Sequence, residues 1–161
     1  MAAIQVRAAS EDDIPALERI MRETFLADQT RYIPEAVDPA SIAAFTADLV
    51  SRRWRAMALA ELGGEPVGAL YAEGNKIEAV NVLPSHQRRG VGTALMDWIE
   101  PHLRDAGFAD VSLDTQEANL PARAFYEGRG YVDIRRWLQK AFTKTPIPTV
   151  TMAMAFRKAA G

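Results

Sequence analysis

A turn with two arginines and two closely spaced glycines constrains the fold of this chain more than any other stretch. It reads SHQRRGVGTAL, at residues 85–95. The apolar segment before it, IEAVNVL (77–83), is predicted to be a strand, and the amphipathic stretch after it predicts a helix that ends near residue 106. Gly90 and Gly92 are expected to let the turn adopt positive φ values and to admit a ligand close to the backbone.

This turn is predicted to bind pyrophosphate. It leads into a helix N-terminus, where several N–H groups have no helical acceptor and the dipole is positive, and Arg88 and Arg89 add full charges. No GK[ST] sequence is present, which excludes a P-loop. Leu95 stands where a dinucleotide fingerprint needs its third glycine, which disfavours NAD. The turn alone leaves open a glycine-rich helix start beside a solvated arginine pair.

Hydrophobic periodicity predicts a mixed α/β domain around this unit. Ser10, with Asp13 three residues later, resembles a capping box that begins the first helix. A loop is predicted over residues 28–39 and a second helix over about 40–53. Pro101 is expected to kink the helix after the glycine turn or to end it early, because an interior proline costs roughly 3 kcal/mol.

Seven segments have the composition and alternation of strands. They are IQVRAA (4–9), AMALAEL (56–62), VGALYAE (67–73), IEAVNVL (77–83), ADVSLDT (109–115), YVDIRRWL (131–138) and TVTMAMAF (149–156). A short helix is predicted over residues 119–130, with Asn119 as its N-cap. The order β-α-α-β-β-β-α-β-α-β-β indicates one domain over residues 1–161 with a mixed sheet.

Composition narrows the class of protein. The 19 basic and 21 acidic residues give a net charge of −2, which argues against non-specific nucleic-acid binding. The absence of cysteine excludes disulfides, thiolate nucleophiles and cysteine–zinc sites, and two histidines are too few for a histidine-based metal site. No apolar run reaches the roughly 18 residues of a membrane span, and no signal peptide is evident. A soluble, cytoplasmic, metal-free protein is expected.

Two segments resemble the signatures of the GCN5-related N-acetyltransferase (GNAT) superfamily. VNVLPSHQRRGVGTAL is similar to its apolar strand, Q/R-x-x-G-x-G/A turn and amphipathic helix, with Gln87, Gly90 and Gly92 on the fixed positions. NLPARAFYEGRGY (119–131) resembles its N-x-x-A-x-x-F-Y-x-x-x-G-F/Y segment. The resemblance implies the GNAT fold, a mixed, mostly antiparallel sheet of about six to seven strands that is splayed between strands 4 and 5 and flanked by about four helices.

The resemblance also implies the co-substrate, acetyl-CoA, and the residues that bind it. The turn would bind its pyrophosphate, the strand before the turn would pair with its pantetheine arm, and an N–H near Val82 would polarise the thioester carbonyl. Asn119 would bind the pantetheine as well as cap its helix. The implied cofactor-binding residues are Val80, Asn81, Val82, Gln87, Arg88, Arg89, Gly90, Val91, Gly92, Thr93 and Asn119.

Two residues are candidates for proton transfer. Tyr126 lies two helical turns beyond Asn119 on the same face, and the resemblance implies that it protonates the departing thiolate; the alternative is a core aromatic. Glu78 is the candidate base, since strand alternation puts it on the same face as Val82. Ion pairing or orientation of water are alternatives for Glu78, and Glu73 is the substitute candidate.

The acceptor is expected to be a small-molecule amine, because no extended groove for a peptide is evident. A polyamine, an amino acid, an aminoglycoside and a protein N-terminus all stay open. The family shapes its acceptor site with residues that correspond to 24–38 and 139–150. Asp28, Tyr32 and Glu35 are either lining residues of a cationic-amine pocket or solvated loop residues. A non-catalytic acetyl-CoA sensor and a protein N-terminal or lysine acetyltransferase are the alternative functions. A homodimer also stays open.

Overall fold

The computed structural model describes residues 3–140 and 145–157 and places seven strands in one sheet. The strands are β1 Ile4–Ala8, β2 Met57–Leu62, β3 Glu65–Glu73, β4 Lys76–Val82, β5 Asp110–Gln116, β6 Val132–Gln139 and β7 Ile147–Ala155. The α-helices are α1 Ile14–Tyr32, α2 Pro39–Arg53, α3 Val91–Asp105 and α4 Leu120–Gly128. Over these described residues, the predicted order of elements and the predicted mixed sheet are confirmed.

The sheet opens between β4 and β5. Its strand order is β1-β2-β3-β4-β5-β7-β6, and β4 and β5 are parallel whereas the other neighbours are antiparallel. The parallel pairing joins only Lys76 to Ser112 and Ile77 to Leu113. Beyond this short contact the two strands diverge, which confirms the predicted splay. The rest of β4 therefore has one side of its backbone free for a ligand.

Apolar side chains hold helices on both faces of the sheet. On one face, Leu17 and Ile20 of α1 and Val50 of α2 pack against β2 and β3. On the other face, Leu95 and Met96 of α3 pack into a cluster that α4 extends towards β7. Burial of each such side chain contributes on the order of 1.5–3 kcal/mol, so the two layers fix the helices around the opening.

The loop predicted over residues 28–39 is wrong in its first part, because α1 continues to Tyr32. No glycine or proline lies between Pro15 and Pro34, and the Ile33 amide donates to the Gln29 carbonyl oxygen at 2.9 Å. Gln29 and Ile33 are both buried, so tertiary packing stabilises this last turn. The longer helix carries Asp28 and Gln29 into the wall of a cavity described below.

Of the two outcomes predicted at Pro101, a kink or an early helix end, the early end is wrong. Helix α3 continues to Asp105, four residues beyond the proline. Ile99 and Leu103, on either side of Pro101, are buried in the cluster under α3. Packing of this apolar face therefore offsets the hydrogen bond that the proline cannot make.

A bulge in β4 changes the face on which Glu78 lies. Tyr71 of β3 pairs with Ala79, whereas the next residue of β3 pairs with Ile77, so Glu78 is an extra residue in β4. Two residues of a bulge oppose one on the partner strand, which places Glu78 with Ala79 on the side of Tyr71. Val82 packs with the cluster on the other side. The expectation that Glu78 and Val82 share a face is therefore wrong.

Candidate active site

A cavity of about 470 Å³ lies where β4 and β5 diverge, with residues of α1, α2 and α4 in its walls. It brings together residues that are far apart in the chain. Five of the predicted site residues line it: Glu78, Val80, Asn81, Asn119 and Tyr126. Val82 and the segment Gln87–Thr93 do not line the cavity; they lie at the end of β4 and the start of α3.

The glycine turn leads directly into α3. Arg88 and Gly90 have φ values of +62° and +86°, in the left-handed region, and the helix begins at Val91. The positive φ expected at Gly92 is wrong, because this residue already lies in the first helical turn. Arg88 and Arg89 are exposed, and neither forms an ion pair with a described residue. Free helix amides and two guanidinium groups therefore form a surface suited to an anion.

The amides of Val80 and Val82 point into the opening between β4 and β5. Just beyond β4, the Leu83 amide donates to the Val67 carbonyl oxygen at 2.9 Å. Successive residues of a strand direct their N–H groups to opposite sides, so the Val82 and Val80 amides face away from β3. The Val82 carbonyl oxygen accepts a hydrogen bond from Gln87 Nε2 at 3.3 Å, which agrees with that orientation.

Two asparagines offer polar groups at this opening. Asn119 is the predicted N-cap of α4, and its Oδ1 accepts a hydrogen bond from the Ala122 amide at 3.2 Å. Asn81 is buried, and its Nδ2 has no hydrogen-bond partner among the described residues. A buried donor without a partner costs free energy, so a ligand acceptor beside Asn81 would be stabilising.

Tyr126 lies on the cavity wall with only 9% of its surface exposed. Its ring packs against Phe125 and Tyr131, with centroids 5.3 and 5.8 Å away. Burial, and the negative charge of Asp28, raise the pKa of the Tyr126 hydroxyl well above its usual value. The phenol is therefore protonated at neutral pH and is a proton donor for a ligand in the cavity.

The carboxylate of Glu78 lies in the cavity wall but stays accessible to water. Its side chain is 36% exposed, and its Oε2 is 3.8 Å from Lys76 Nζ. Lys76 is closer to Asp114, at 2.7 Å, so Glu78 has only a loose ion pair. Glu73, the substitute candidate, pairs with Arg53 at 3.3 Å and does not line the cavity.

Asp28 is the acidic residue that sequence reasoning assigned to a loop and that the structure places in the cavity wall. Burial raises its pKa to about 6, although the positive charge of Arg31 opposes that shift. Tyr32 and Glu35, proposed beside it, do not line the cavity. The spacing of three residues between Phe25 and Asp28 could have indicated that both lie on one helix face. Because residues 28–39 were predicted to be a loop, helical periodicity was not extended to Asp28.

The second predicted acceptor region, residues 139–150, contributes in part. Gln139, Ile147 and Thr149 line the cavity. Residues 141–144 lie outside the described residues. The hairpin between β6 and β7 therefore contributes its two ends to the wall opposite α1.

Within residues 3–140 and 145–157, no group of three or more His, Cys, Asp or Glu side chains is arranged to hold a metal ion. In the same part of the chain, no helix is long and apolar enough to cross a membrane.

Together, these features suit an extended ligand that carries phosphates. An anion-binding helix start lies beside strand amides that have no partner strand, and both adjoin the cavity that holds Tyr126. Such a ligand would place its phosphates at the turn and its other end beside a phenol and three carboxylates, those of Asp28, Glu78 and Asp114. Proton transfer at that end is the chemistry that these side chains can perform.

The model of the acetyltransferase (GNAT) family matches residues 15–131. Solved structures with a similar fold include the GCN5-related N-acetyltransferase from Rhodopseudomonas palustris, 23% identical with a TM-score of 0.79 over 97% of this chain and 98% of that one. The ribosomal-protein-S18-alanine N-acetyltransferase from Escherichia coli is 18% identical, with a TM-score of 0.70 over 98% and 97%. YncA from Salmonella typhimurium, solved with acetyl-CoA, is 18% identical, with a TM-score of 0.70 over 99% and 97%.

Proposed function

Because the chain belongs to the acetyltransferase (GNAT) family, we propose that it is an N-acetyltransferase that uses acetyl-CoA. The proposed acceptor is the primary amine of a small molecule, which attacks the thioester directly within a ternary complex. The observation that carries this proposal is the cavity of about 470 Å³ between β4 and β5, with Tyr126 and Glu78 in its wall. Its volume lies in the range of about 300–1,000 Å³ usual for small-molecule sites.

The proposed cofactor site follows the opening of the sheet. Backbone amides from Arg88 through Thr93 hold the pyrophosphate, and the two arginines add charge. The outward amides of Val80 and Val82 pair with the pantetheine arm as a further strand would. Asn81 Nδ2 and Asn119 donate to its amide oxygens. The acetyl-CoA bound in YncA, a protein of similar fold, supports this choice of ligand.

The reaction proposed needs stabilisation of an oxyanion and two proton transfers. Acetyl-CoA supplies an activated acetyl group, and the Val82 amide donates to the oxygen that becomes negative when the amine adds. An acceptor that binds as an ammonium first releases one proton to water, and Glu78 then takes, directly or through water, the proton that the nitrogen loses as it attacks. As the C–S bond breaks, Tyr126 gives its proton to the departing sulfur and is reprotonated from solvent. The products are the acetamide and free CoA.

Acetyl-CoA binding tests the cofactor site with a pair of variants at Gly92. A Cβ at Gly92 would lie 3.7 Å from Phe125 Cζ, which is an ordinary contact, so Gly92→Ala is expected to fold like the wild type and controls for the added side chain without its charge. Gly92→Asp places a carboxylate in the first turn of α3, where the helix dipole tolerates a negative charge, so the fold is expected to persist. The same carboxylate would lie beside the proposed pyrophosphate and repel it. We expect micromolar binding by the wild type and about 100-fold weaker binding by Gly92→Asp, measured by isothermal titration.

Circular dichroism of each variant controls for folding. No binding of acetyl-CoA by folded wild-type protein would contradict the proposed function. Equal affinity of Gly92→Asp and Gly92→Ala would instead show that the pyrophosphate lies away from the turn.

A further inference from the structure

The α1–α2 end of the cavity combines one carboxylate with an apolar wall. Phe25 of α1 and Phe45 of α2 stack with their ring centroids 6.1 Å apart, and Leu49 lies one turn beyond Phe45. Asp28 lies one turn beyond Phe25 in α1. All four side chains line the cavity. A ligand in this end therefore meets two aromatic rings, an aliphatic side chain and a single negative charge.

Two hydrogen-bond acceptors at this end of the cavity have no donor among the described residues. Asp28 makes no hydrogen bond or ion pair with any described residue. Gln29, the next residue of α1, is 4% exposed and lines the cavity, and its Oε1 has no hydrogen-bond partner among the described residues. The buried Gln29 oxygen is costly unless a ligand satisfies it, and the half-buried Asp28 beside it is open to the same ligand. A primary ammonium group brings three N–H donors and a positive charge.

Among the described residues, no cationic side chain lines the cavity to pair with a carboxylate. Asp28, Glu78 and Asp114 line it, and its described lining includes no lysine, arginine or histidine. Lys76 lies near Asp114 and Glu78 but is not part of the lining. An acceptor with its own carboxylate would meet three acidic side chains, and Lys76, the cation beside two of them, is already paired with Asp114 at 2.7 Å.

We propose that this end of the cavity is the acceptor site for a monoamine on an apolar body, with Asp28 as the residue that binds its ammonium group. This rests on the proposed function and adds the substrate class to it. The ammonium lies between Asp28 and Gln29, while the apolar body packs against Phe25, Phe45 and Leu49. Phenethylamine belongs to this class. Phenylalanine, which differs from it only by a carboxylate, does not.

The pH dependence of acceptor binding follows from the same site. Burial raises the pKa of Asp28 to about 6, and its neighbours in the helix and the cavity include charged and titratable groups: Arg31, Tyr71, Glu78, Asp114 and Tyr126. Below pH 6 the free enzyme holds Asp28 neutral, whereas the amine stays an ammonium throughout. The KM for the amine is therefore expected to rise as pH falls through 6, and this rise is absent in Asp28→Asn.

Steady-state kinetics with phenethylamine and phenylalanine test the proposal. The wild type is expected to acetylate phenethylamine with a kcat/KM at least about 100-fold higher than for phenylalanine. Asp28→Asn is expected to raise the KM for phenethylamine roughly 100-fold at pH 7.5, through loss of a charge-assisted hydrogen bond, with a much smaller change in kcat. The KM for acetyl-CoA is expected to stay the same.

Asp105→Asn is the matched control, since its carboxylate is 75% exposed at the far end of α3. It is expected to match the wild type in every kinetic parameter. Thermal unfolding at pH 8 checks the fold of Asp28→Asn. This variant is expected to be no less stable than the wild type, because burial disfavours the charged form of Asp28 above its pKa of about 6.

Equal or better use of phenylalanine overturns the proposal, as does an unchanged KM for phenethylamine in Asp28→Asn. A higher kcat/KM for spermidine than for phenethylamine overturns the monoamine class. If the wild type acetylates no amine, the proposed function fails. Titration of phenethylamine into the wild type and into Asp28→Asn then tests the proposed amine site independently of catalysis. Binding that is lost in Asp28→Asn then supports it, and binding that is absent or equal overturns it.

Discussion

At the scale of single residues, burial gives two side chains of the cavity their different roles. Tyr126 is kept neutral at pH 7, which makes its hydroxyl a proton donor. Asp28 has a pKa of about 6, so at pH 7 it is mostly charged in a wall where charge is costly. A fold seldom retains such a carboxylate unless function requires it. Both side chains therefore have protonation properties that suit the roles proposed for them.

Replacement of Tyr126 by phenylalanine tests its role as an acid. No described residue hydrogen-bonds to the Tyr126 hydroxyl, so the melting temperature of Tyr126→Phe is expected to match the wild type. Loss of the proton donor is expected to lower kcat roughly 100-fold without weakening acetyl-CoA binding. Discontinuous assays of acetyl transfer measure kcat, and isothermal titration calorimetry measures the affinity for acetyl-CoA.

Tyr131→Phe is the matched control for that prediction. The Tyr131 hydroxyl donates to Glu100 Oε2 at 2.8 Å, outside the cavity. Its loss is expected to cost about 1 kcal/mol of unfolding free energy while kcat stays unchanged. A full kcat in Tyr126→Phe would contradict its role as the acid.

At the scale of elements, α3 shows how tertiary packing outweighs local propensity. The helix begins at the turn for which anion binding is proposed, and its apolar face, with Val91, Leu95 and Ile99, is held against the sheet. Pro101 opposes the helix locally, but the buried residues on either side keep it continuous to Asp105. The stability of α3 therefore comes from its contacts with the sheet.

Pro101→Ala is expected to stabilise the protein. The alanine restores an amide that can donate within the helix and removes the steric clash of the ring, which is expected to raise the unfolding free energy by about 1–2 kcal/mol. Urea denaturation measures this change. Pro39→Ala is the control, because Pro39 is the first residue of α2, where no hydrogen bond is lost. A gain no larger than that of Pro39→Ala would contradict the reasoning.

The bulge in β4 and the last turn of α1 are the details of the elements that the sequence did not predict. Each strand was predicted within two residues of its observed bounds, because alternation is a local property. The extra residue at Glu78 depends on how β4 pairs with β3 and leaves no local pattern. The extension of α1 to Tyr32 likewise depends on burial of Gln29 and Ile33.

At the scale of the whole molecule, charge is segregated although the net charge is only −2. Arg88 and Arg89 lie at the turn, and the acidic residues Asp28, Glu78 and Asp114 line the cavity. The proposed anionic co-substrate and cationic acceptor would therefore be drawn to different parts of one opening. This separation suits simultaneous binding of both ligands.

Initial-rate kinetics test simultaneous binding. Double-reciprocal plots at several fixed acetyl-CoA concentrations are expected to intersect, since the two ligands occupy different parts of the site and the chain has no cysteine to carry an acyl group. Mass spectrometry of the protein after incubation with acetyl-CoA alone is expected to find no acetylated side chain. Parallel lines together with an acetylated protein would instead establish an acyl-enzyme.

The sequence by itself determined the family, the order of the elements, the glycine turn and the helical position of Tyr126. Each of these depends on residues close together in the chain, where periodicity and backbone geometry are set locally. Only the tertiary structure decided that Asp28 faces Tyr126, that Glu78 turns away from the face of Val82, and that the cavity wall is acidic and apolar. Those outcomes depend on strand pairing and helix packing between segments far apart in the chain, for which a single sequence contains no local signal.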